Sequence, residues 1–313
     1  MEIFDGNSNI EKSKNTVVTI GTFDGVHRGH QQILNEMLKI SREKGFRNFV
    51  ITFEPHPRTV VSKKFDIRLL TTLSEKKEIF KSFGIENLMI IKFTEEFSKL
   101  TSVEFIKQYI CDKIGARHVV IGYDHKFGRD REGDENALRE MGKEYGFEVT
   151  RVPPMKENGV VISSTLIRNL LLDGKIEEAN NYLGRNYCLS GKVVPGAGRG
   201  IVLGFPTANI QPEDKQKLIP ANGVYAVSVK VENKVYFGVM NIGFRPTFNQ
   251  TPHAITEVHI LNFNKKIYGE NIKVEFIKRL RDEKKFGGKN ELIKQIEEDI
   301  RRTKEVLKQK VIN

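Results

Sequence analysis

Tryptophan is absent from this chain, cysteine occurs only twice, and no apolar run is long enough to span a bilayer. The two cysteines, Cys111 and Cys188, lie far apart, which excludes a disulfide scaffold and a four-cysteine zinc site. We therefore expect reduced thiols and a cytoplasmic protein. The first fifteen residues lack an apolar segment followed by a cleavage site, so we expect no secretory signal and no membrane partner.

Positive charge is in excess: the 313 residues carry a formal net charge of +11. This excess is typical either of a surface that binds nucleic acid or of an enzyme that acts on anionic substrates. Much of it lies near the C-terminus, where charged and apolar residues alternate at helical spacing, as on a solvated helix face. We find no RNA-binding module and no aromatics interleaved with lysine and arginine, so we expect no nucleic-acid partner.

The first half of the chain alternates between short apolar runs and amphipathic segments. The runs lie at 16–20, 49–53, 88–91, 118–121 and 147–152, and the predicted helices at 30–44, 74–83, 102–114 and 135–145. Such alternation predicts a parallel sheet with helices on both faces. Ser74 is the candidate N-cap of the second helix.

The second half changes character and contains successive short strands. They are predicted at 191–194, 224–231, 235–240, 255–263 and 272–276, with a closing helix over 290–310. This pattern predicts a small barrel or sandwich. The change falls near residues 183–186, and with about 150 residues per domain we place the domains at 1–184 and 185–313.

A glycine-rich segment, Gly21-Thr-Phe-Asp-Gly-Val-His-Arg-Gly-His30, follows the first predicted strand. In an open parallel sheet this is where ligands bind, and a helix N-terminus there offers free N–H groups to phosphate. His27 and His30 would face one way on the starting helix and suit a developing negative charge on phosphorus. The alternatives are that these histidines cap or pack, or that they form a metal pair.

A run of hydroxyls, Ser163-Ser-Thr165, precedes an apolar helix that carries Arg168 in its first turns. Serine and threonine are good N-caps, so helix initiation alone is one interpretation. A cation is disfavoured near a helix N-terminus, however. An anionic ligand held between Arg168 and the hydroxyls explains the arginine better.

The second half holds a further loop, from Gly196 through Pro206-Thr207-Ala-Asn209. Its glycines alone indicate only a turn, and they do not fit the P-loop pattern. Thr207 and Asn209 offer neutral oxygens of the kind that Mg²⁺ accepts, although a plain turn is the alternative. Glu257 lies in a predicted strand, facing the interior or solvent; it could accept a proton from an attacking hydroxyl or be merely exposed.

Together these motifs resemble those of the bacterial bifunctional riboflavin kinase/FAD synthetases. The histidine motif with Ile162-Ser-Ser-Thr-x-x-Arg168 resembles the nucleotidylyltransferase superfamily, and Phe53-Glu-Pro-His-Pro57 and Val120–Gly128 resemble the FMN adenylyltransferase half. The remaining segments stand in the order of riboflavin kinase: Pro-Thr-Ala-Asn, 222–226, 241–248, Glu257-Val-His and 280–286. Two positions depart from the family: His125 replaces a usual aromatic, and Ile201 stands where arginine is frequent.

The resemblance implies a Rossmann-like nucleotidylyltransferase domain and a six-stranded β-barrel with a closing helix. It implies an enzyme that phosphorylates riboflavin to FMN and transfers AMP to FMN, giving FAD and pyrophosphate, with ATP as co-substrate and Mg²⁺ as cofactor. The expected partners are riboflavin, FMN and ATP; assembly into a homo-oligomer is left open. Another adenylyl or cytidylyl transferase with an unrelated β-domain is the alternative within the enzyme class.

The resemblance also assigns roles to individual residues. Those implied to be catalytic are His27, His30 and Glu257. Those implied to contact ATP or phosphate are Gly21, Phe23, Asp24, Gly29, Ser164, Thr165, Arg168, Gly196, Gly198, Gly204, Thr207 and Asn209, of which Thr207 and Asn209 would also bind Mg²⁺. Those implied to contact flavin are Phe53, Pro55, Pro57, Asp124, Phe127, Arg281 and Phe286.

Overall fold

The chain separates into two compact units, which we call the N-terminal unit, Met1–Ser164, and the C-terminal unit, Thr165–Asn313. The structure is a computed structural model, and it describes residues 1–62, 67–196, 198–245 and 253–312. The domain division expected at residue 184 stays a prediction. Both cysteines are free, as expected.

The N-terminal unit alternates strands and helices. Its elements are β1 (Glu2–Asp5), β2 (Thr16–Ile20), α1 (Arg28–Lys44), β3 (Arg47–Glu54), α2 (Pro57–Val61), α3 (Leu73–Ser82), β4 (Asn87–Lys92), α4 (Ser102–Phe105, continued as a π-helix over Ile106–Ile114), β5 (His118–Gly122), α5 (Glu135–Tyr145), β6 (Glu148–Val152), β7 (Lys156–Glu157) and β8 (Val160–Val161).

The predicted parallel sheet is confirmed. Six strands pair in the order β1-β4-β3-β2-β5-β6, and every pair is parallel. From β2 the chain moves outward through β3 and β4 on one side, and then returns to place β5 on the other side of β2. This reversal beside β2 is the kind of switch point at which open α/β sheets bind ligands.

Apolar patterning explains why these segments form a two-faced layer. All five residues of β2 are buried, and α1 turns Leu34, Met37 and Ile40 toward the sheet before Gly45 ends it in a left-handed conformation. The predicted cap of α3 was wrong: Thr72 caps the helix and not Ser74. The Thr72 hydroxyl accepts from the Glu75 N–H at 3.3 Å, and the Glu75 carboxylate accepts from the Thr72 N–H at 3.0 Å. Thr72 is the N-cap because this reciprocal capping box satisfies two N–H groups at once.

The C-terminal unit is built mainly of antiparallel strands. Its elements are α6 (Ser164–Leu172, whose first residue ends the N-terminal unit), α7 (Ile176–Leu183), β9 (Cys188–Val194), α8 (Arg199–Leu203), β10 (Ala208–Pro212), β11 (Gly223–Val231), β12 (Lys234–Arg245), β13 (His253–Ile260), β14 (Asn271–Arg281) and α9 (Lys289–Ile312).

Of the two architectures that the sequence left open, the barrel is confirmed. The strands close in the order β10-β13-β12-β11-β14-β9, all antiparallel. Val258, Met240 and Tyr225 are paired across three strands, and all three are fully buried in the interior. Helix α9 covers part of the outer face through Ile300 and Val306.

None of the helices in the described ranges combines the length and the hydrophobicity that crossing a membrane requires.

Candidate active sites

The conformation of the loop between β2 and α1 is stabilised by a buried aspartate of that loop. Asp24 is only 2% exposed, and its carboxylate accepts from the N–H groups of Leu70 and Thr71 at 2.9 and 3.1 Å. The Thr71 hydroxyl in turn accepts from the Gly25 N–H at 3.0 Å. Through these hydrogen bonds Asp24 stabilises the conformation of the loop. A contact between Asp24 and phosphate stays a prediction.

The two histidines form a stacked pair at the start of α1. His27 is the N-cap, and its Nδ1 accepts from the His30 N–H at 3.4 Å. Their ring centroids are 3.7 Å apart with an interplanar angle of 19°. His27 therefore does cap the helix, as the simpler interpretation expected. The pair nevertheless lies at the positive end of a 17-residue helix, where an anion is favoured.

Two glycines of this loop are required by the rings around them. A Cβ on Gly29 would lie 3.2 Å from the His27 ring, and one on Gly21 would lie 3.0 Å from the Phe23 ring. Phe23 itself packs edge-on against the His30 ring, with centroids 5.4 Å apart. Any side chain at either glycine would therefore displace the rings that set the imidazole positions.

The structure brings Ser164 to the same loop. Its hydroxyl donates to the Asp24 carbonyl at 2.9 Å. The hydroxyl motif (Ser163–Thr165) therefore meets the histidine loop (Gly21–His30), although 140 residues separate Ser164 from Asp24. Thr165 and Arg168 follow on α6 within the C-terminal unit. Arg168 comes four residues after Ser164 and therefore lies on the same face of that helix.

An aromatic cluster lies where β3, β4 and β5 end. Phe53, at the end of β3, is 6.3 Å from Phe105, which is 6.4 Å from Phe127 after β5 (centroid distances). Phe93 and Phe97 follow β4 and lie 5.8 and 5.9 Å from Phe53. We call these five residues the aromatic cluster. Phe105 and Phe127 are buried, whereas Phe53, Phe93 and Phe97 are partly exposed, so these three are the rings of the cluster that a flavin could reach.

Sequence reasoning found Phe53 and Phe127 but missed Phe93, Phe97 and Phe105. A signal was present, because the chain has 20 phenylalanines and Phe93 lies two residues after the strand predicted at 88–91. Of the other predicted flavin contacts in this unit, Pro55 and Asp124 are exposed at the same edge of the sheet. Pro57 is the first residue of α2.

His125 belongs to the wall of this cluster as a neutral ring. It stacks on Phe127 with centroids 5.5 Å apart and planes inclined by 23°. Burial, and after it the positive charge of Arg131, lowers the pKa of His125 to about 4. At pH 7 the imidazole is thus uncharged, and it takes the place of the family's usual aromatic without adding a charge.

This pKa has a consequence for stability, which we expect to fall as the pH drops from 6.5 toward 4. The unfolded chain protonates His125 near its ordinary pKa, whereas the folded chain resists protonation, so acid favours unfolding. The shift corresponds to a loss of at most about 3 kcal/mol. Urea unfolding of the N-terminal unit at pH 7 and 4.5 should show a smaller pH effect for His125→Phe than for the parent chain. Equal pH effects would contradict the expectation.

In the C-terminal unit the glycine loop lies directly over Thr207 and Asn209. A Cβ on Gly196 would collide with the side-chain amide of Asn209, and one on Gly200 would lie 3.2 Å from the Thr207 hydroxyl. The loop and the Pro-Thr-Ala-Asn segment therefore form one cradle, which we call the glycine cradle. Gly198 and Gly204 flank the short helix α8 on its two sides, both in the left-handed conformation.

Glu257 lies beside the same cradle, on the outer face of the barrel. Its Cα pairs with that of Asn209 on β10 and with that of Asn241 on β12. Directly paired residues of antiparallel strands project to the same face, so two side-chain amides flank the carboxylate. Since Thr256 and Val258 are buried, the alternation places Glu257 outside and half exposed. Asn241 is a neighbour that sequence reasoning quoted only as part of a motif.

We expect Gly196→Ala to lower riboflavin phosphorylation at least tenfold, because the new methyl group would push the Asn209 amide out of place. The measurement is the rate of FMN formation from riboflavin and ATP. Gly288→Ala is the matched control, since a Cβ at Gly288 meets nothing within 4 Å. FMN formation at the parental rate in Gly196→Ala would contradict the role of the cradle.

The predicted flavin contacts near the end of β14 are engaged with the protein itself. The Arg281 guanidinium donates to the Asp299 carboxylate at 2.7 Å, and Asp299 is 1% exposed. The same guanidinium lies 5.8 Å from the centroid of the Phe286 ring. Arg281 thus ties β14 to α9; its contact with flavin, and that of Phe286, stay predictions. Residues 246–248 of the motif that starts at Asn241 lie outside the described residues.

Within the part of the chain that the structure describes, no three His, Cys, Asp or Glu side chains cluster as a metal site. The donors at the glycine cradle, a hydroxyl and an amide, nevertheless suit Mg²⁺. This ion usually takes few protein ligands and completes its shell with waters and substrate phosphates. The close approach of Gly196 to Asn209 leaves the amide in a cradle that a larger residue would fill.

Two family models match the chain, one in each half. The model described as FAD synthetase matches residues 9–166, and the model described as riboflavin kinase matches residues 183–307. Neither range includes residues 167–182.

Similar whole proteins are known as well. One from Buchnera aphidicola subsp. Schizaphis graminum (strain Sg), named bifunctional riboflavin kinase/FMN adenylyltransferase, is 40% identical over 305 residues and covers 96% of this chain and 97% of its own length. A protein of the same name from Bacillus subtilis (strain 168) is 38% identical over 293 residues, which is 92% of each chain. A crystal structure from Streptococcus pneumoniae, described as a macrolide-efflux protein, is 32% identical with a TM-score of 0.88 over 96% of this chain and 98% of that one.

Proposed function

Because the chain belongs to the family of bifunctional riboflavin kinase/FMN adenylyltransferases, we propose that its two units divide the two reactions between them. The chain phosphorylates riboflavin with ATP to give FMN, and it transfers AMP from a second ATP to FMN to give FAD and pyrophosphate. The observation that supports the division is the presence of two separate side-chain constellations, one in each unit. They are the stacked histidines at the edge of the sheet where the aromatic cluster also lies, and Glu257 beside the glycine cradle.

In the N-terminal unit the reaction is a direct displacement on phosphorus. An oxygen of the FMN phosphate attacks the α-phosphorus of ATP, a new P–O bond forms, and the bond to the β-phosphate oxygen breaks as pyrophosphate leaves. No protein nucleophile is required, so catalysis comes from alignment and charge stabilisation. His27 and His30 stabilise charge on the α-phosphate, and the N-terminus of α1 adds its dipole.

The hydroxyl motif serves the leaving group of this reaction. Ser164 already contacts the histidine loop, and Thr165 and Arg168 follow on the same helix. A guanidinium and hydroxyls are the donors that phosphate oxygens prefer. We assign Ser164 to the phosphates of ATP, and Phe53 and Phe127 to the isoalloxazine ring of FMN. For Thr165 and Arg168, which belong to the C-terminal unit, the family resemblance supports the same role.

In the C-terminal unit Glu257 acts as general base. Its carboxylate takes the proton from the terminal ribityl hydroxyl of riboflavin, the oxygen attacks the γ-phosphorus of ATP, and ADP leaves. The half-exposed position on the outer face allows a substrate to reach the carboxylate. The amides of Asn209 and Asn241 on either side limit how the carboxylate can turn.

Mg²⁺ is the ion that Thr207 and Asn209 would hold, and when bound it would neutralise charge on the phosphates of ATP. We also place the protein in the cytoplasm, on the ground that both of its cysteines are free. Its assembly with further copies is not part of the proposal.

Incubation of the purified chain with riboflavin, ATP and Mg²⁺, followed by chromatography of the flavins, tests the function. We expect FMN to appear first and FAD to follow. FMN supplied in place of riboflavin should give FAD alone. If neither flavin product forms, the function is wrong. If a different phosphorylated acceptor binds tightly and flavin does not, the chain is another nucleotidylyltransferase.

A further inference from the structure

A lysine in the N-terminal unit is buried where its charge has a cost. Lys76, on α3, is 5% exposed. Burying an ammonium group is unfavourable by several kcal/mol unless carboxylates compensate it. Burial accordingly lowers the pKa of Lys76, while the charges of Glu54 and Asp24 act in the opposite direction. A methionine would fill the same space without this cost, so the charge itself needs an explanation.

The two carboxylates near Lys76 belong to different parts of the adenylyl-transfer site. Glu54 lies 3.7 Å from the Lys76 Nζ and directly precedes the predicted flavin contact Pro55. Asp24 belongs to the loop that carries the stacked histidines, and its carboxylate is held by the N–H groups of Leu70 and Thr71 just before α3. The segment that leads into α3 therefore holds the histidine loop, and Lys76 on the same helix lies against the end of β3.

We propose that Lys76 is a positioning residue for adenylyl transfer, because its buried ammonium holds the end of β3 against α3, and the residues just before α3 hold the histidine loop. This inference rests on the proposed function of the N-terminal unit. We assign Lys76 no contact with substrate, because its side chain is buried. It fixes the distance between the segments that hold the substrates, and an in-line displacement is sensitive to that distance.

The matched variants are Lys76→Met, Lys76→Arg and Lys81→Met, the last being an exposed lysine on the same helix. We expect Lys76→Met to lower kcat of FAD formation at least tenfold, with dissociation constants of FMN and of ATP, each measured alone, changed by less than about threefold. Lys76→Arg should restore most of the rate, and Lys81→Met should leave it unchanged. Riboflavin phosphorylation by the same preparations reports on the integrity of the C-terminal unit, and FMN binding reports on that of the N-terminal unit.

The pairing with Glu54 has its own test. Glu54→Gln should lower kcat of FAD formation in the same way, and Lys76→Met/Glu54→Gln should be no slower than the slower single variant, because residues acting as one unit are not additive. If Lys76→Met does not fold, Glu54→Gln in the otherwise unchanged chain carries the test.

Three results would overturn the proposal. They are a parental kcat in Lys76→Met or Glu54→Gln, multiplicative losses in the double variant, or a loss confined to substrate affinity and melting temperature, which would mark a purely structural ion pair. A parent chain that forms no FAD would instead count against the proposed function.

Discussion

His30→Ala is expected to abolish FAD formation and to leave riboflavin phosphorylation at the parental rate. The alanine removes one ring of the stacked pair at the N-terminus of α1, and with it a group that we assign to the α-phosphate of ATP. Loss of one such group typically costs about 10²–10³ in rate, and here it also removes the ring that stacks on His27. The measurement is FAD formed from FMN and ATP, with FMN formed from riboflavin followed in the same preparation.

Asn35→Ala is the matched control for this variant, since Asn35 is an exposed residue of the same helix. It should keep both activities. Loss of both activities in a folded His30→Ala protein would show that the reactions are not divided between the units as proposed. FAD formation at the parental rate would show that the histidine pair serves only to cap and pack.

Glu257→Ala is expected to slow riboflavin phosphorylation by about 10²–10⁴, the usual contribution of a general base, while adenylylation of added FMN persists. The alanine removes the carboxylate between Asn209 and Asn241 without altering the buried side of β13. The measurement is the initial rate of FMN formation at saturating riboflavin and ATP. The second measurement, which is decisive, is the rate of FAD formation from FMN by the same protein.

Two further variants make this result specific. Glu257→Gln keeps the size of the side chain but cannot take a proton, so it should be nearly as slow as Glu257→Ala. Glu270→Ala, an exposed acidic residue of the same unit, should leave the rate unchanged. If Glu257→Gln retained the parental rate, the carboxylate would not be the base.

Local pattern was sufficient for much of the fold. The alternation of apolar runs with amphipathic segments specified the parallel sheet, since strands such as β2 are buried on both faces. Helix ends were also readable where one residue decides them, as Gly45 does for α1. The cap of α3 was misjudged because Thr72 and Ser74 are both good caps. The two differ in one respect: Thr72 also donates its backbone N–H to the Glu75 carboxylate.

Contacts between segments that are distant in the chain could not be predicted from the sequence. Nothing local indicates that the Ser164 hydroxyl meets the Asp24 carbonyl, or that Glu257 stands between Asn209 and Asn241. Each of these neighbours depends on strand order and register, and a register shift of one residue would turn Glu257 into the barrel. The same holds for Phe93, Phe97 and Phe105, which lie together because the sheet brings the ends of its strands to one edge.

By itself the sequence determined which groups can do chemistry here: imidazoles at a helix start, hydroxyls before an arginine, a threonine and an asparagine after a glycine loop, and one glutamate. These follow from residue types and short spacings, which the chain carries locally. Only the tertiary structure decided which of them meet, which instead hold the fold together, as Arg281 does through Asp299, and that a buried lysine lies 3.7 Å from the Glu54 carboxylate. Those outcomes depend on contacts between segments far apart in the chain, and packing alone selects them.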